Sequence, residues 1–154
     1  MPESELPPGS GFAYDLGERI LASQSARADA IDTKAAVVMA VVGVLAGFLF
    51  QSPFQGAPRT VILVASFSVP VSLATALGSF WTARYSRAPE FTAVTARTQS
   101  PESWLKWRFL PNLADAIAVN DRKLELKVTY LRVAMVGLLV LILDIGGYLL
   151  YEFF

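Results

Sequence analysis

Two stretches of this chain begin polar and turn apolar without a break. From Phe12 to Lys34 the apolar positions are Phe12, Leu16, Ile20, Leu21, Ala28, Ile31 and Ala35. Their spacing is mostly three, four or seven, the stripe of an amphipathic helix. From Arg27 to Phe50 no loop signal interrupts the run, and Ala35 to Phe50 is sixteen apolar residues. With Thr33, Gln51 and Ser52 it approaches the ~20 residues that cross a ~30 Å hydrocarbon core. The second such stretch starts at Leu113. Leu113, Ile117, Asn120, Leu124, Val128 and Leu131 recur at threes and fours, and the chain is apolar from Val133 to its end save Asp144 and Glu152. Between them Thr60 to Ala83 is twenty-four residues without a charge, with Pro70 in its middle. The pattern predicts an all-α integral membrane protein with three transmembrane helices. The first and third extend into a helical stalk.

The connections set the boundaries. Residues 1–11 are rich in Pro, Gly, Ser and Glu and read as a flexible tail; their acidity rules out a signal peptide, which opens on a basic region. A polar helix follows at 12–34, then a first span at 35–52, a turn at 53–59, a second span at 60–83, a polar helical segment at 84–132 and a third span at 133–153. Ser66, Ser68, Ser72 and Thr75 surround Pro70, whose missing N–H frees a backbone carbonyl that hydroxyls can satisfy. Within 84–132, Ser86 to Glu90 breaks the helix and Ser100-Pro101-Glu102 restarts one. Trp104, Trp107 and Phe109 beside Lys106 and Arg108 fit either a headgroup-level helix or a contact with the first helix. Gly43 and Gly47 form the G-x-x-x-G spacing that lets a second backbone approach.

Composition narrows the chemistry. The 154 residues are 54% hydrophobic and 17% charged, with no net charge, no His and no Cys. Cys/His zinc sites, thiol nucleophiles and Ser-His-Asp triads are excluded. An enzyme is not expected, nor a metal, nor a nucleic-acid partner. The first 34 residues carry three Lys and Arg, the 51–59 turn one and the 84–132 segment nine. With three spans the positive-inside rule places the N-terminus and the 84–132 segment in the cytoplasm and the C-terminus outside. The stalk is then cytoplasmic and its helices run in parallel. Leu16, Ile20, Ala28 and Ile31 are expected to meet Ile117, Leu124, Val128 and Leu131.

Charged residues supply the candidate sites. Asp29, Asp32 and Lys34 lie just below the bilayer on one helix, with Lys127 and Arg132 at that height on the other. They serve either topology and stalk pairing or a switch that holds a closed state, with Asp29 or Asp32 reaching Lys127. An anionic ligand needs cationic or amide donors, and Arg122, Lys123 and Lys127 are the candidates, since no glycine-rich phosphate loop is present. Asp144 lies ~16 Å beyond Val133 along a helix. A carboxylate at that depth needs a partner or water. It is either bonded to hydroxyls of the second span, level with Ser68 to Ser72, or part of a carboxylate ring along a cation path.

The sequences ADAIDTKAA, before the first span, and AVNDRKLELKVTYLRVA, before the last, resemble the transmembrane effectors of bacterial Pycsar anti-phage defence. The resemblance rests on a D-x-K-A motif (Asp32, Lys34, Ala35) and on an Asn with a Lys seven residues on (Asn120, Lys127). It covers the architecture from about residue 12 to the end. It implies a homo-oligomeric effector of the inner membrane, activated by cyclic UMP or cyclic CMP that a partner cyclase makes on infection, and impairing membrane integrity. The alternative is a passive membrane anchor or scaffold subunit that presents its stalk to a soluble partner.

Overall fold

The computed structural model describes residues 9–49, 58–81 and 102–153. Among them the protein is all-helical. Helix α1 is Ser10–Leu49, α2 is Arg59–Trp81 and α3 is Glu102–Phe153. Each contains a stretch long and apolar enough to cross a membrane. Phe50 to Ser52, most of the 53–59 turn, the break at Ser86 to Glu90 and the Ser100-Pro101 start lie outside the described residues, as do residues 1–8 of the tail.

The two long helices are continuous where the sequence pattern changes character. Helix α1 holds from its polar start through Lys34 into the apolar run. Helix α3 begins at Glu102, an acid in the first turn where the helix dipole favours it, and continues through Pro111. A short helix before Leu113 and a separate one after it are therefore a single helix. A proline inside a helix costs about 3 kcal/mol. Here Leu105 and Leu113, on either side of Pro111, are both buried, so packing offsets the lost bond. Helix α2 likewise continues through Pro70. Thr75 Oγ1 donates to the carbonyls of Val71 at 2.7 Å and Ser72 at 3.2 Å, so this hydroxyl serves carbonyls after the proline.

The chain forms two compact units, one from residues 1–28 with 84–124 and one from residues 29–83 with 125–154. In the first, Tyr14, Leu21 and Leu113 make a buried cluster, with Phe109, Leu110, Ala116 and Ile117 against it. Gly17 gives Leu113 its seat: a Cβ there would stand 2.9 Å from Leu113 Cγ. In this unit the buried positions of α1 are Tyr14, Gly17, Leu21, Gln24 and Ala28. Their alternating spacing of three and four is that of a coiled-coil seam. Leu16 and Ile20, expected on this face, are instead 46% and 38% exposed. The seam runs through a glycine and a glutamine, so a stripe drawn through large apolar residues alone is rotated away from it.

The second unit packs smaller side chains. Ala35, Val38, Val42, Ala76, Leu131 and Ala134 form one cluster, flanked by Ile31, Met39, Val69, Leu73, Phe80 and Leu138. Ala65, Leu141 and Ile145 form another. The close backbone approach is not at Gly43 or Gly47, where a Cβ would meet open space. It is at Gly137, where a Cβ would run into the Ser72 hydroxyl and stand 3.6 Å from the Ser68 carbonyl.

Candidate functional site

Lys127 follows Asn120 by seven residues on α3, and Asp32 stands three residues before the apolar run of α1; the stripe through Val128 leaves Lys127 off the packed face, whereas the structure buries it. In the second unit the lysine and the aspartate meet. Lys127 Nζ donates to Asp32 Oδ1 and Oδ2, both at 2.7 Å. The Lys127 side chain is 1% exposed, while Asp32 is 27% exposed. The cation is thus sealed inside and its counter-ion faces water. An ammonium this deep is costly unless paired. Bidentate contact at this distance is the strong form of a charge-assisted bond.

The neighbouring charges are arranged differently. Asp29 is exposed, and its backbone carbonyl accepts from Thr33 Oγ1 at 2.9 Å. Lys34 and Arg132 are exposed. Of the two acids considered for Lys127, Asp32 is the one it holds. The three cations suggested for an anion are not presented alike: Arg122 is exposed, Lys123 half-buried and Lys127 buried. A ligand reaching Lys127 has to displace Asp32 first.

Asp144 is half-buried, with Oδ2 enclosed and without a hydrogen-bond partner among the described residues. The Ser72 hydroxyl likewise lacks one there. The expected match of Asp144 with Ser68 and Ser72 is not made. The Ser72 side chain and the Ser68 backbone carbonyl lie at Gly137, and Asp144 lies two turns, about 10 Å, further along α3. The physical reason is the glycine notch, which sets where α2 and α3 touch and which height counting from the helix ends does not see.

The first unit carries its own polar contacts. Gln24 Nε2 donates to Asp121 Oδ1 at 2.6 Å and to the Ile117 carbonyl at 3.2 Å. Asn120, one of the motif residues, is 1% exposed there. Gln24 itself is 3% exposed; sequence reasoning that sought apolar residues passed over it, although its seven-residue spacing from Gly17 fits the seam. Lys106 bridges Asp15 at 2.9 Å and Glu102 at 3.2 Å, and those carboxylates, Asp15 first, hold its proton above the usual lysine range. Burial, and then Glu18 beside it, push the Tyr14 phenol up as well. Arg108 stacks on Trp104, 5.0 Å from the ring centre, and Phe109 joins the Tyr14 cluster.

Among the described residues no group of acidic side chains could hold a metal ion. Comparison with protein-family models, with curated proteins and with solved structures gives no match.

Proposed function

We propose that this chain is an oligomeric effector of the bacterial inner membrane, with its N-terminus and its 84–132 segment cytoplasmic. A cyclic pyrimidine nucleotide from a partner cyclase switches it to a state that impairs the membrane. One observation carries this reading. Asn120 and Lys127, two of the residues that bear the resemblance to Pycsar effectors, are buried polar residues of α3, and Asp32, a third, is the partner of Lys127. Burying such groups costs free energy unless they are bonded, and in helix seams they set register and partner more than stability. A switch needs a contact of this kind, satisfied in one state and breakable in another.

The mechanism starts from the sealed Lys127. While Asp32 neutralises it, the junction between polar and apolar helix is closed. An anionic phosphate competes for the same ammonium and frees the Asp32 carboxylate into water. The test is dye leakage from cells or liposomes carrying the protein, with and without cyclic UMP or cyclic CMP. Leakage that follows the nucleotide and disappears in Lys127→Met supports the reading; a membrane that stays tight under both nucleotides overturns it. If the impaired state is a pore with Asp144 along its cation path, Asp144→Asn changes conductance or cation preference and leaves assembly intact.

The second reading, an anchor presenting its polar helices to a soluble partner, is favoured by Phe12 and Leu16. They are 74% and 46% exposed on α1 in the first unit.

A further inference from the structure

In the first unit α1 and α3 pack in parallel, and their contacts fix both the height and the flank of every exposed residue. Tyr14, Leu21 and Ala28 recur every seven residues on the buried face of α1, with Gly17 and Gln24 between them. Leu113 seats at Gly17, and Asp121 accepts from Gln24. These two contacts set the levels. Ala114 of α3 stands at a height between Leu16 and Ile20 of α1, and Asp121 stands within one turn of Arg27.

The flanks follow from the same seam. In a parallel pair the g positions of one helix and the e positions of the other lie on the same side. On α1 these are Ile20 and Arg27, with Leu16 beside them; on α3 they are Trp107, Ala114 and Asp121. All six are exposed. The opposite flank holds Asp15, bound to Lys106, and the half-buried Phe109 and Ala116. The first flank is thus an open apolar groove with a cation on one wall and a carboxylate on the other. Ile20 stands fifteen residues before the apolar run of α1, and Trp107 twenty-six before that of α3, so hydrocarbon does not cover it. An exposed apolar surface of this kind outside a membrane marks an interaction site.

We propose that this groove is the contact with a second copy of the chain, across a two-fold axis parallel to the helices. Helices α1 and α3 each run on into a stretch long and apolar enough to cross a membrane, so two copies in one bilayer stand parallel and at the same depth. The axis then sets α1 of one copy against α3 of the other at equal height. Leu16 and Ile20 straddle the small side chain of the partner's Ala114, and the partner's Trp107 lies below Leu16. Arg27, which makes no ion pair among the described residues, meets the partner's Asp121, and this pair forms twice. The charges choose the occupant. A groove with one cationic and one acidic wall is matched by itself turned half round, the self-complementary contact of a closed dimer. A partner of either single sign would meet a like charge on one wall. The contact gives the oligomer of the proposed effector an interface, and rests on that reading only for the shared orientation in the bilayer.

The test uses the full-length protein in liposomes, without nucleotide. The chain has no cysteine, so a Leu16→Cys copy and a differently tagged Ala114→Cys copy are expected to form a mixed disulfide on mild oxidation. An Ala22→Cys copy, on the other flank of α1, is expected to form none with Ala114→Cys. Energy transfer between fluorescent tags on the two copies reads the dimer itself. Arg27→Glu alone and Asp121→Arg alone each turn two attractive pairs into two repulsive ones, and the dimer weakens about tenfold. Mixing the two variants restores it, because both pairs of the mixed dimer are again opposite in sign; a variant that had failed to fold would not be rescued in this way. Equal disulfide yields from Ala22→Cys and Leu16→Cys, single variants that dimerise like wild type, or a mixture no better than its components would each overturn the proposal. So would a wild type that stays monomeric, which would leave the groove to a different protein. Neither nucleotide nor leakage enters the measurement, so a dimer without leakage sinks the effector reading alone, and nucleotide-dependent leakage without this dimer sinks the interface alone.

Discussion

The two units place polar groups inside helix packing in opposite ways. In the first, Gln24 offers an amide to an exposed carboxylate, Asp121, and to a backbone carbonyl. The charge stays in water and the buried partner is neutral. In the second, the buried partner is the cation itself, Lys127, and the carboxylate lies toward water. A neutral group can lose its partner at modest cost, because a typical net hydrogen bond contributes about 1 kcal/mol. A sealed ammonium cannot, because breaking a buried pair by removing one partner costs about 3–5 kcal/mol. The same sort of helix seam therefore holds a tolerant polar contact in one unit and an all-or-none contact in the other.

The sharpest way to break that contrast is at Asp32. Asp32→Asn is expected to destabilise the second unit by about 3 kcal/mol, the low end of that range because water reaches Asp32. Asp32→Asn with Lys127→Met is expected to recover most of it. Trp81 fluorescence in a Trp104→Phe, Trp107→Phe background follows this unit during detergent-induced unfolding. A single variant as stable as wild type would remove the distinction between the units.

Glycine substitutions come next. Gly17→Ala forces Leu113 to move and is expected to cost about 1–2 kcal/mol, an overpacking penalty reduced by alanine's better helix propensity. Gly43→Ala and Gly47→Ala meet open space and are expected to cost nothing. Denaturant midpoints read from Trp104 and Trp107 for the first, and from Trp81 for the others, check this. Equal losses at Gly17 and Gly43 would mean that the G-x-x-x-G pair packs after all.

Gln24→Leu is a smaller change. The bonds to Asp121 and Ile117 are lost, but Asp121 turns to water and Leu fits an apolar seam, so the expected cost is at most about 1 kcal/mol. A loss as large as that at Asp32 would show that the first unit depends on its polar contact equally.

The smallest effect is on pH. Tyr14 and Lys106 both keep their protons in the folded first unit beyond their ordinary values of 10.0 and 10.5. In the unfolded chain they lose them at those values, so above about pH 10 the unfolded state binds fewer protons and stability falls as pH rises. Below pH 10 both contributions are fully present. The denaturation midpoint of the first unit is expected to be flat from pH 7 to 9 and to decline above 10, less steeply in Tyr14→Phe. No decline, or one beginning near neutrality, would assign the shifts wrongly.

Three apolar helices, their order, and the continuity of the first and third with polar helices were legible in the sequence. Length against bilayer thickness and helical periodicity are local properties, and neither needs a neighbour to be read. The Asp32–Lys127 contact was legible as one of two choices, because Asp29 and Asp32 lie at similar heights on α1. Rotation and depth were not legible. Which side of α1 is buried turns on Gly17 and Gln24, whose role depends on Leu113 and Asp121 more than ninety residues away. The level of Asp144 turns on Gly137 seating Ser72, a contact between helices that no count from the helix ends contains. Sequence periodicity determines that a helix has a face. Only packing, which matches one helix's notch to another's side chain, decides which face is buried and where along it the helices meet.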